Sequence, residues 1–142
     1  MKLLAAVAFF FLPTPTTPRP NPGLAPAEVI RTVAEGLQKN DSPVPNAGIF
    51  TAYQFASPAN RAVTGPYGRF LRLVRLPEFA PMLRDSPREF APIQIDGDHA
   101  EQIVRILDPG GMAAYTFSLS RQQSGDYRGC WMVEGVVLVN RP

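Results

Sequence analysis

The stretch YQFASPANRAVTGPYGRF, which runs from Tyr53 to Phe70, decides how this chain folds. Within it, the Ser57-Pro58 pair predicts the start of a new helix, because a serine oxygen can accept a hydrogen bond from the first turn and proline fits that turn. Thr64-Gly65-Pro66 repeats this signal and starts another helix. The stretch therefore breaks and restarts helical structure, and it joins a helical front half to a back half rich in strand patterns.

Three longer helical segments are predicted in the front half. Apolar residues recur at helical spacing from Pro26 to Lys39, and Asn46 can cap a second helix from Ala47 to Ala56. A third helix is predicted from Tyr67 to Leu76, where Pro77 ends it. Its apolar residues share one arc, and the opposite arc carries three basic residues, Arg69, Arg72 and Arg75.

Four strands are predicted in the back half. Alternating apolar residues indicate strands in three segments, Ala100 to Leu107, Met112 to Arg121 and Tyr127 to Val139. The segment from Phe90 to Asp96 precedes them, and Pro92 within it indicates an edge strand or a bulge.

The turns between these strands are short. Asp96-Gly97 predicts a tight hairpin, and Gly135 predicts a bulge in the long last strand. Helices followed by an antiparallel meander indicate an α+β fold. We expect the helices to pack on a curved four-stranded sheet and to leave a cone-shaped pocket between the two layers.

Length and composition indicate one folded domain, residues 25–142, and an N-terminal tail, residues 1–24. The chain has 142 residues, of which 45% are hydrophobic, enough for a core. Its net charge of +2 is too small for the basic surface typical of nucleic-acid binding. The single cysteine, Cys130, excludes an internal disulfide, and the single histidine, His99, excludes most histidine-based metal sites and triads. No cofactor and no metal are predicted.

The tail begins with one basic residue, Lys2, which an apolar run from Leu3 to Leu12 follows. This run is far shorter than the roughly 20 residues of a membrane-spanning helix. A stretch rich in proline and threonine comes next, and this order is typical of a signal peptide or of the lumen-targeting part of an organellar presequence. The alternative is a retained apolar tail that contacts a membrane or a partner through residues 1–22.

The first candidate site is a group of arginines in a segment without acidic residues, from Ser42 to Pro77. One interpretation is a docking face for an acidic partner or for anionic lipid headgroups. The other is the ordinary solvated side of an amphipathic helix, with one arginine tied into the turn beside Asn60. The arginines are Arg61, Arg69, Arg72 and Arg75.

The second candidate site is the pocket expected between the helices and the sheet. Glu134 would be its polar group, because a carboxyl in an apolar cavity has a raised pKa and can transfer protons. The alternative is that Glu134 pairs with an arginine such as Arg61 or faces solvent. Six aromatic residues are predicted to line the pocket, namely Tyr53, Phe55, Phe70, Tyr115, Phe117 and Trp131.

Four segments of the chain resemble an uncharacterised family of domains: NDSPVPNAGI, YQFASPANRAVTGPYGRF, LPEFAPML and SGDYRGCWMVEGVVL. That family is found in bacteria and, in related forms, in the plastids of plants and algae, and the resemblance extends over Ala25 to Val139. It implies the nuclear-transport-factor-two-like, or cystatin-like, superfold. It implies no reaction, because that superfold includes isomerases, dehydratases, binding modules and assembly subunits.

The function expected from these features is that of a non-enzymatic accessory protein that docks onto a larger protein complex, with its tail reaching a membrane or a neighbour. The plastid forms of the family imply a thylakoid-associated role, as a peripheral subunit or assembly factor of a photosynthetic complex. The tail would equally suit an exported protein. The alternative function is a small-ligand-binding protein or an isomerase-like enzyme that uses Glu134 and Tyr53 at its pocket.

Overall fold

The computed structural model describes residues 6–8, 10 and 17–140. Most of the apolar run from Leu3 to Leu12 lies outside these residues, so the targeting prediction for the tail stays a prediction. None of the described helices combines the length and the apolar character that a membrane crossing requires.

The described front half is helical, as predicted. A single turn of 3-10 helix, Pro77–Phe79, separates the fourth and fifth helices. The Ser57-Pro58 and Gly65-Pro66 signals do start helices, and Pro77 follows the end of the fourth within three residues. The helices are α1 (Pro26–Gln38), α2 (Ala47–Phe55), α3 (Pro58–Thr64), α4 (Tyr67–Val74) and α5 (Ala80–Leu83).

The prediction that Asn46 caps α2 is wrong. Asn46 precedes α2, but it has a left-handed backbone with φ of 63°, and its side chain makes no capping hydrogen bond. Asn40 fills this role instead. Its buried side-chain oxygen accepts a hydrogen bond from the backbone N–H of Ile49 at 2.9 Å. The loop before α2 therefore folds back so that Asn40, near its start, and not Asn46 at its end, satisfies the first turn of the helix.

The back half forms an open antiparallel sheet in which the predicted first strand is split in two. Both of its halves pair with the same edge of β3, and the residues around Pro92 separate them. A proline cannot donate to a strand ladder, which explains the break. The strands are β1 (Arg88–Phe90), β2 (Gln94–Asp96), β3 (His99–Asp108), β4 (Gly111–Arg121) and β5 (Trp131–Asn140), in the order β1/β2, β3, β4, β5.

One register shift in the sheet matters for the candidate site. Leu119 of β4 pairs with Val133 of β5, whereas Ser118 pairs with Gly135. Glu134 is therefore the extra residue of a bulge, which the prediction had placed at Gly135. A bulge re-aims the side chains around it, so the direction of Glu134 does not follow from simple alternation along β5.

The core lies between α1, α2 and the inner face of the sheet. Five apolar residues of α1 are buried, and on β3 and β4 the buried residues alternate with exposed or half-buried ones. This arrangement confirms the predicted α+β class, with helices first and an antiparallel sheet after them. The assignment to the cystatin-like superfold stays a prediction.

Candidate functional site

The segment from Ala56 to Asn60 is held against β5 at the edge of the sheet. Ala56 forms a single parallel bridge with Val133. The carbonyl of Val133 accepts hydrogen bonds from the backbone N–H of Ser57 at 2.9 Å and from the side-chain amide of Asn60 at 3.0 Å. Ser57 Oγ accepts from the backbone N–H of Asn60 at 3.0 Å, which caps α3. The Ser-Pro signal thus fixes both the start of α3 and its attachment to the sheet.

Glu134 binds three side chains, one from the start of α3 and two from the end of β4 and the residue just beyond it. The hydroxyl of Ser57 donates to Oε2 at 2.6 Å. The hydroxyl of Ser120 and the amide of Gln122, the latter at 3.2 Å, both donate to Oε1. One half-buried carboxylate therefore connects the cap of α3, the end of β4 and the bulge of β5.

These contacts set the ionisation of Glu134. Burial alone would raise the pKa of its carboxyl, but hydrogen bonds from Ser120, Ser57 and Gln122, with a smaller contribution from His99, bring that pKa below its ordinary value. A raised pKa, the condition for a pocket acid, is not what the structure shows. Glu134 has hydroxyl and amide donors as its partners and does not pair with Arg61.

Arg61 of α3 closes the end of α2. Its Nε donates to the carbonyl of Tyr53 at 3.0 Å and a terminal nitrogen donates to the carbonyl of Gln54 at 2.9 Å. Its guanidinium also lies over two rings, 4.5 Å from the centroid of Tyr53 and 5.7 Å from that of Tyr127. The last carbonyls of a helix lack partners within the helix. Arg61 supplies those partners. It therefore has a structural role, the alternative to a docking role that the sequence left open for this arginine.

We expect Arg61→Lys to lower the free energy of unfolding by about 1–3 kcal/mol, although it keeps the charge, because an ammonium cannot bridge two carbonyls with a planar fork. Arg72→Lys on exposed α4 is the matched control and should change stability by less than about 0.5 kcal/mol. Urea unfolding of the two variants beside the wild type measures this. Equal losses in both variants would contradict the role assigned to Arg61.

The six aromatic residues predicted to line a pocket occupy three different environments. Phe55, Tyr115 and Phe117 are fully buried, and Trp131 is nearly so. Tyr53 is half-buried and packs against the rings of Tyr67 and Phe70, with centroids 5.3 Å away in each case. The structure therefore uses most of these rings to fill the interior and not to line an open space.

A cavity of about 320 Å³ does occur between the helices and β5. Of the six predicted aromatic residues, Phe70 alone lines it, and Glu134 does not. Its polar lining residues are Asn60, Thr64 and Glu78. The side chains of Asn60 and Thr64 donate hydrogen bonds to backbone carbonyls. Its wall is mostly apolar and includes Leu37, Phe70, Leu73, Phe79, Met82 and Val136.

The arginines of α4 differ from Arg61. Arg69, Arg72 and Arg75 are all exposed, and among the described residues none of them forms an ion pair with a carboxylate. Arg75 donates to the side-chain oxygen of Asn46. We call these three residues the α4 arginine face. It is a cationic surface whose charge the described part of the domain leaves unneutralised.

The described part of the tail reaches the neighbourhood of this face. Thr17 and Pro18 line a surface depression of about 410 Å³, together with Asn46 and Tyr67. Asn46 is the residue that binds Arg75, and Tyr67 is the first residue of α4. Farther along the tail, the described side chains of Val7 and Phe10 are 77% and 89% exposed.

Sequence reasoning missed Ser120 and Gln122 as partners of Glu134. The available signals were an acidic residue inside an otherwise apolar strand and the polar alternation of β4. Neither signal reveals the one-residue register shift that places Glu134 beside these donors. Among the described residues, no cluster of His, Cys, Asp or Glu has an arrangement that could hold a metal ion.

The fold and this site define an α+β protein in which the segment that caps α3 is attached to the edge strand β5 through a half-buried carboxylate. The chain belongs to the family DUF4864, a domain of unknown function, whose model matches residues 27–142. No curated protein and no solved structure matches the chain significantly.

Proposed function

We propose that this protein is a non-enzymatic docking protein that attaches to an anionic membrane surface. The observation that carries this proposal is the α4 arginine face, in which Arg69, Arg72 and Arg75 are exposed and have no carboxylate partner among the described residues. Basic residues beside a membrane contribute about 1 kcal/mol each to binding of anionic lipids.

The tail supplies a second attachment to the same surface. Its described residues Thr17 and Pro18 lie beside Tyr67, close to the arginine face, and its apolar residues Val7 and Phe10 are exposed to water. Stable peripheral binding usually needs two signals, one apolar and one basic. The resemblance to plastid proteins extends the proposal to a peripheral subunit or assembly factor of a thylakoid complex, and that step has no other support.

The test is co-sedimentation of the full chain with vesicles of phosphatidylcholine, with or without phosphatidylglycerol. We expect tighter binding to the anionic vesicles, and we expect Arg69→Gln with Arg72→Gln to weaken it by about 30-fold, as two contributions of about 1 kcal/mol imply. The control is Arg31→Gln with Arg128→Gln, which removes the same charge elsewhere. Equal binding of the two double variants, or no preference for anionic vesicles, would contradict the proposal.

A second candidate function is the binding of a small apolar ligand, which the cavity of about 320 Å³ favours. The isomerase-like version of this function needs a carboxyl group in the cavity. Glu134 and Tyr53, the residues expected to supply this chemistry, do not line it, and the carboxyl-bearing residue among its lining is the exposed Glu78. The vesicle experiment separates the two functions, because Arg69 and Arg72 do not line the cavity and their replacement should leave ligand binding unchanged.

A further inference from the structure

The two edges of the open sheet differ in how they are protected. At one edge, β1 and β2 have three residues each, Pro92 lies between them, and they contain charged residues such as Glu89 and Asp96. Short strands, prolines and charges prevent an edge from pairing with another chain. At the other edge, β5 has ten residues, and its stretch from Gly135 to Val139 contains glycine, valine and leucine but no charge and no proline. The β5 edge therefore lacks these protections.

The segment that caps α3 covers the start of the β5 edge. Ala56 forms its bridge with Val133, and the carbonyl of Val133 accepts the hydrogen bonds from Ser57 and Asn60. In the part of the chain that the structure describes, no other backbone hydrogen bond joins β5 to a segment other than β4. Residues 135–140 therefore leave an open edge about 20 Å long.

The β3–β4–β5 ladder shows which backbone groups face this open edge. Opposite residues of an antiparallel pair alternate between exchanging hydrogen bonds and directing their backbone groups away from each other. The N–H of Arg121 donates to the carbonyl of Asp98 at 2.8 Å, so the odd-numbered residues of β4 direct their backbone groups toward β3. Val136 and Leu138 lie opposite two of these odd-numbered residues. Their own N–H and C=O groups therefore point to the open edge.

We infer that this edge pairs with the same edge of a second copy of the chain, which joins the two sheets into one. A two-fold axis perpendicular to the sheet at Val137 sets Val136 of each copy opposite Leu138 of the other, and each of these pairs exchanges two backbone hydrogen bonds. Val137 then lies opposite its counterpart, and pairs of β-branched residues in this position stabilise a sheet. A two-fold interface requires self-complementarity of this kind.

The register of this pairing follows from the irregularities of β5. Its pairing with β4 is regular from Gly135 to Leu138, and a register shift interrupts it on either side. An axis at Val137 uses the outward groups of both Val136 and Leu138. An axis at either of those two residues would pair it with itself and set the other opposite an irregular position. The contact is shorter than a standard interface, so we expect a dimer in exchange with the monomer.

Disulfide cross-linking through introduced cysteines tests the inference. Opposite residues that exchange no hydrogen bonds have Cα atoms about 4.5 Å apart, which is within disulfide range. Val137→Cys should therefore form a covalent dimer on oxidation. Val139→Cys is the matched control, because Val139 is similarly exposed, 53% against 60%, but lies about 13 Å from its counterpart across the axis. It should stay monomeric, and the buried Cys130 is common to both variants.

Sedimentation equilibrium at a series of protein concentrations gives a second measurement. The mass of the wild type should rise from 15.6 kDa toward twice that value. Val137→Lys should weaken the association by about 10-fold or more, because it sets like charges directly opposite each other. Since Val137 is an exposed side chain, the circular dichroism spectrum of this variant should match that of the wild type.

Each contrary result overturns the inference. A wild type that stays at the mass of one chain at every concentration does so directly. Equal cross-linking of the two cysteine variants, or cross-linking of Val139→Cys alone, excludes a two-fold axis at Val137. Unchanged association of Val137→Lys would show that the two copies meet at another surface.

Discussion

Gly48→Ala is expected to lower the free energy of unfolding by about 3 kcal/mol or more, which corresponds to a fall of about 10 °C in the unfolding temperature. A Cβ atom at Gly48 would lie 2.0 Å from the carbonyl oxygen of Gly36 and 2.9 Å from the Cα of Asn40. Both of these atoms belong to backbone that cannot move aside alone. α2 would have to shift away from α1, and its buried residues Ile49 and Phe55 would shift with it.

The same interface provides the matched control. Gly36 lies in α1 opposite Gly48, but a Cβ atom there would meet its nearest neighbours at 3.8 Å, an ordinary contact distance. Gly36→Ala should therefore raise stability by about 0.5–1 kcal/mol, because alanine loses less conformational entropy in a helix than glycine does. Thermal unfolding followed by circular dichroism compares the two variants. A neutral effect of Gly48→Ala would contradict the close approach of α1 and α2.

The sequence contains both glycines but not their relationship. Taken locally, Gly36 only weakens α1, and Gly48 looks like a tolerated position in the first turn of α2. Their close contact depends on the path of the loop between them, in which the buried Asn40 accepts a hydrogen bond from the N–H of Ile49. The contact between α1 and α2 therefore depends on Asn40, a residue of the loop between them. The sequence around Asn40 does not reveal that its partner is Ile49.

Local signals predicted the elements of the fold well. Ser57-Pro58 starts a helix, Pro92 interrupts an edge strand, and Asp96-Gly97 forms a hairpin turn in which Gly97 has a φ of 59°. Each of these signals acts through the backbone of one or two residues, so it works in the same way in most proteins. The alternation of apolar residues along β4 likewise predicted four of its five buried residues, and Ala114 is the fifth.

The candidate site was less predictable, because it depends on register and packing. Aromatic residues at inward positions of a sheet either line a cavity or fill it, and the sequence pattern is the same in both cases. Here Phe117 and Tyr115 fill the core, whereas the cavity lies nearer to Leu73 and Val136. For Arg61, the sequence permitted either a surface charge or a clamp, and the carbonyls at the end of α2 decide for the clamp.

Glu134→Gln is expected to lower the free energy of unfolding at neutral pH by about 1–3 kcal/mol, the range for hydrogen bonds to a charged group. The variant keeps the size of the side chain, but it replaces one acceptor oxygen with an NH₂ group that faces hydroxyl donors. The substitution should destabilise the start of α3 as well as β5, because Ser57 caps α3 and also binds Glu134. Glu89→Gln, at an exposed position of β1, is the control and should stay within about 0.5 kcal/mol of the wild type.

The loss of unfolding free energy in Glu134→Gln should depend on pH. The hydrogen bonds to Glu134 determine whether this loss grows or shrinks as the pH falls. In the folded protein the pKa of Glu134 lies below its ordinary value of 4.5. The ionised carboxylate therefore stabilises the fold fully above about pH 4.5, and this contribution disappears as the pH falls through the folded-state pKa. Urea unfolding at a series of pH values should show the wild type and Glu134→Gln converging in acid, whereas Glu89→Gln follows the wild type throughout. A difference between wild type and Glu134→Gln that widened in acid would mean that Glu134 is protonated in the folded protein. The three donors would then not be holding a carboxylate.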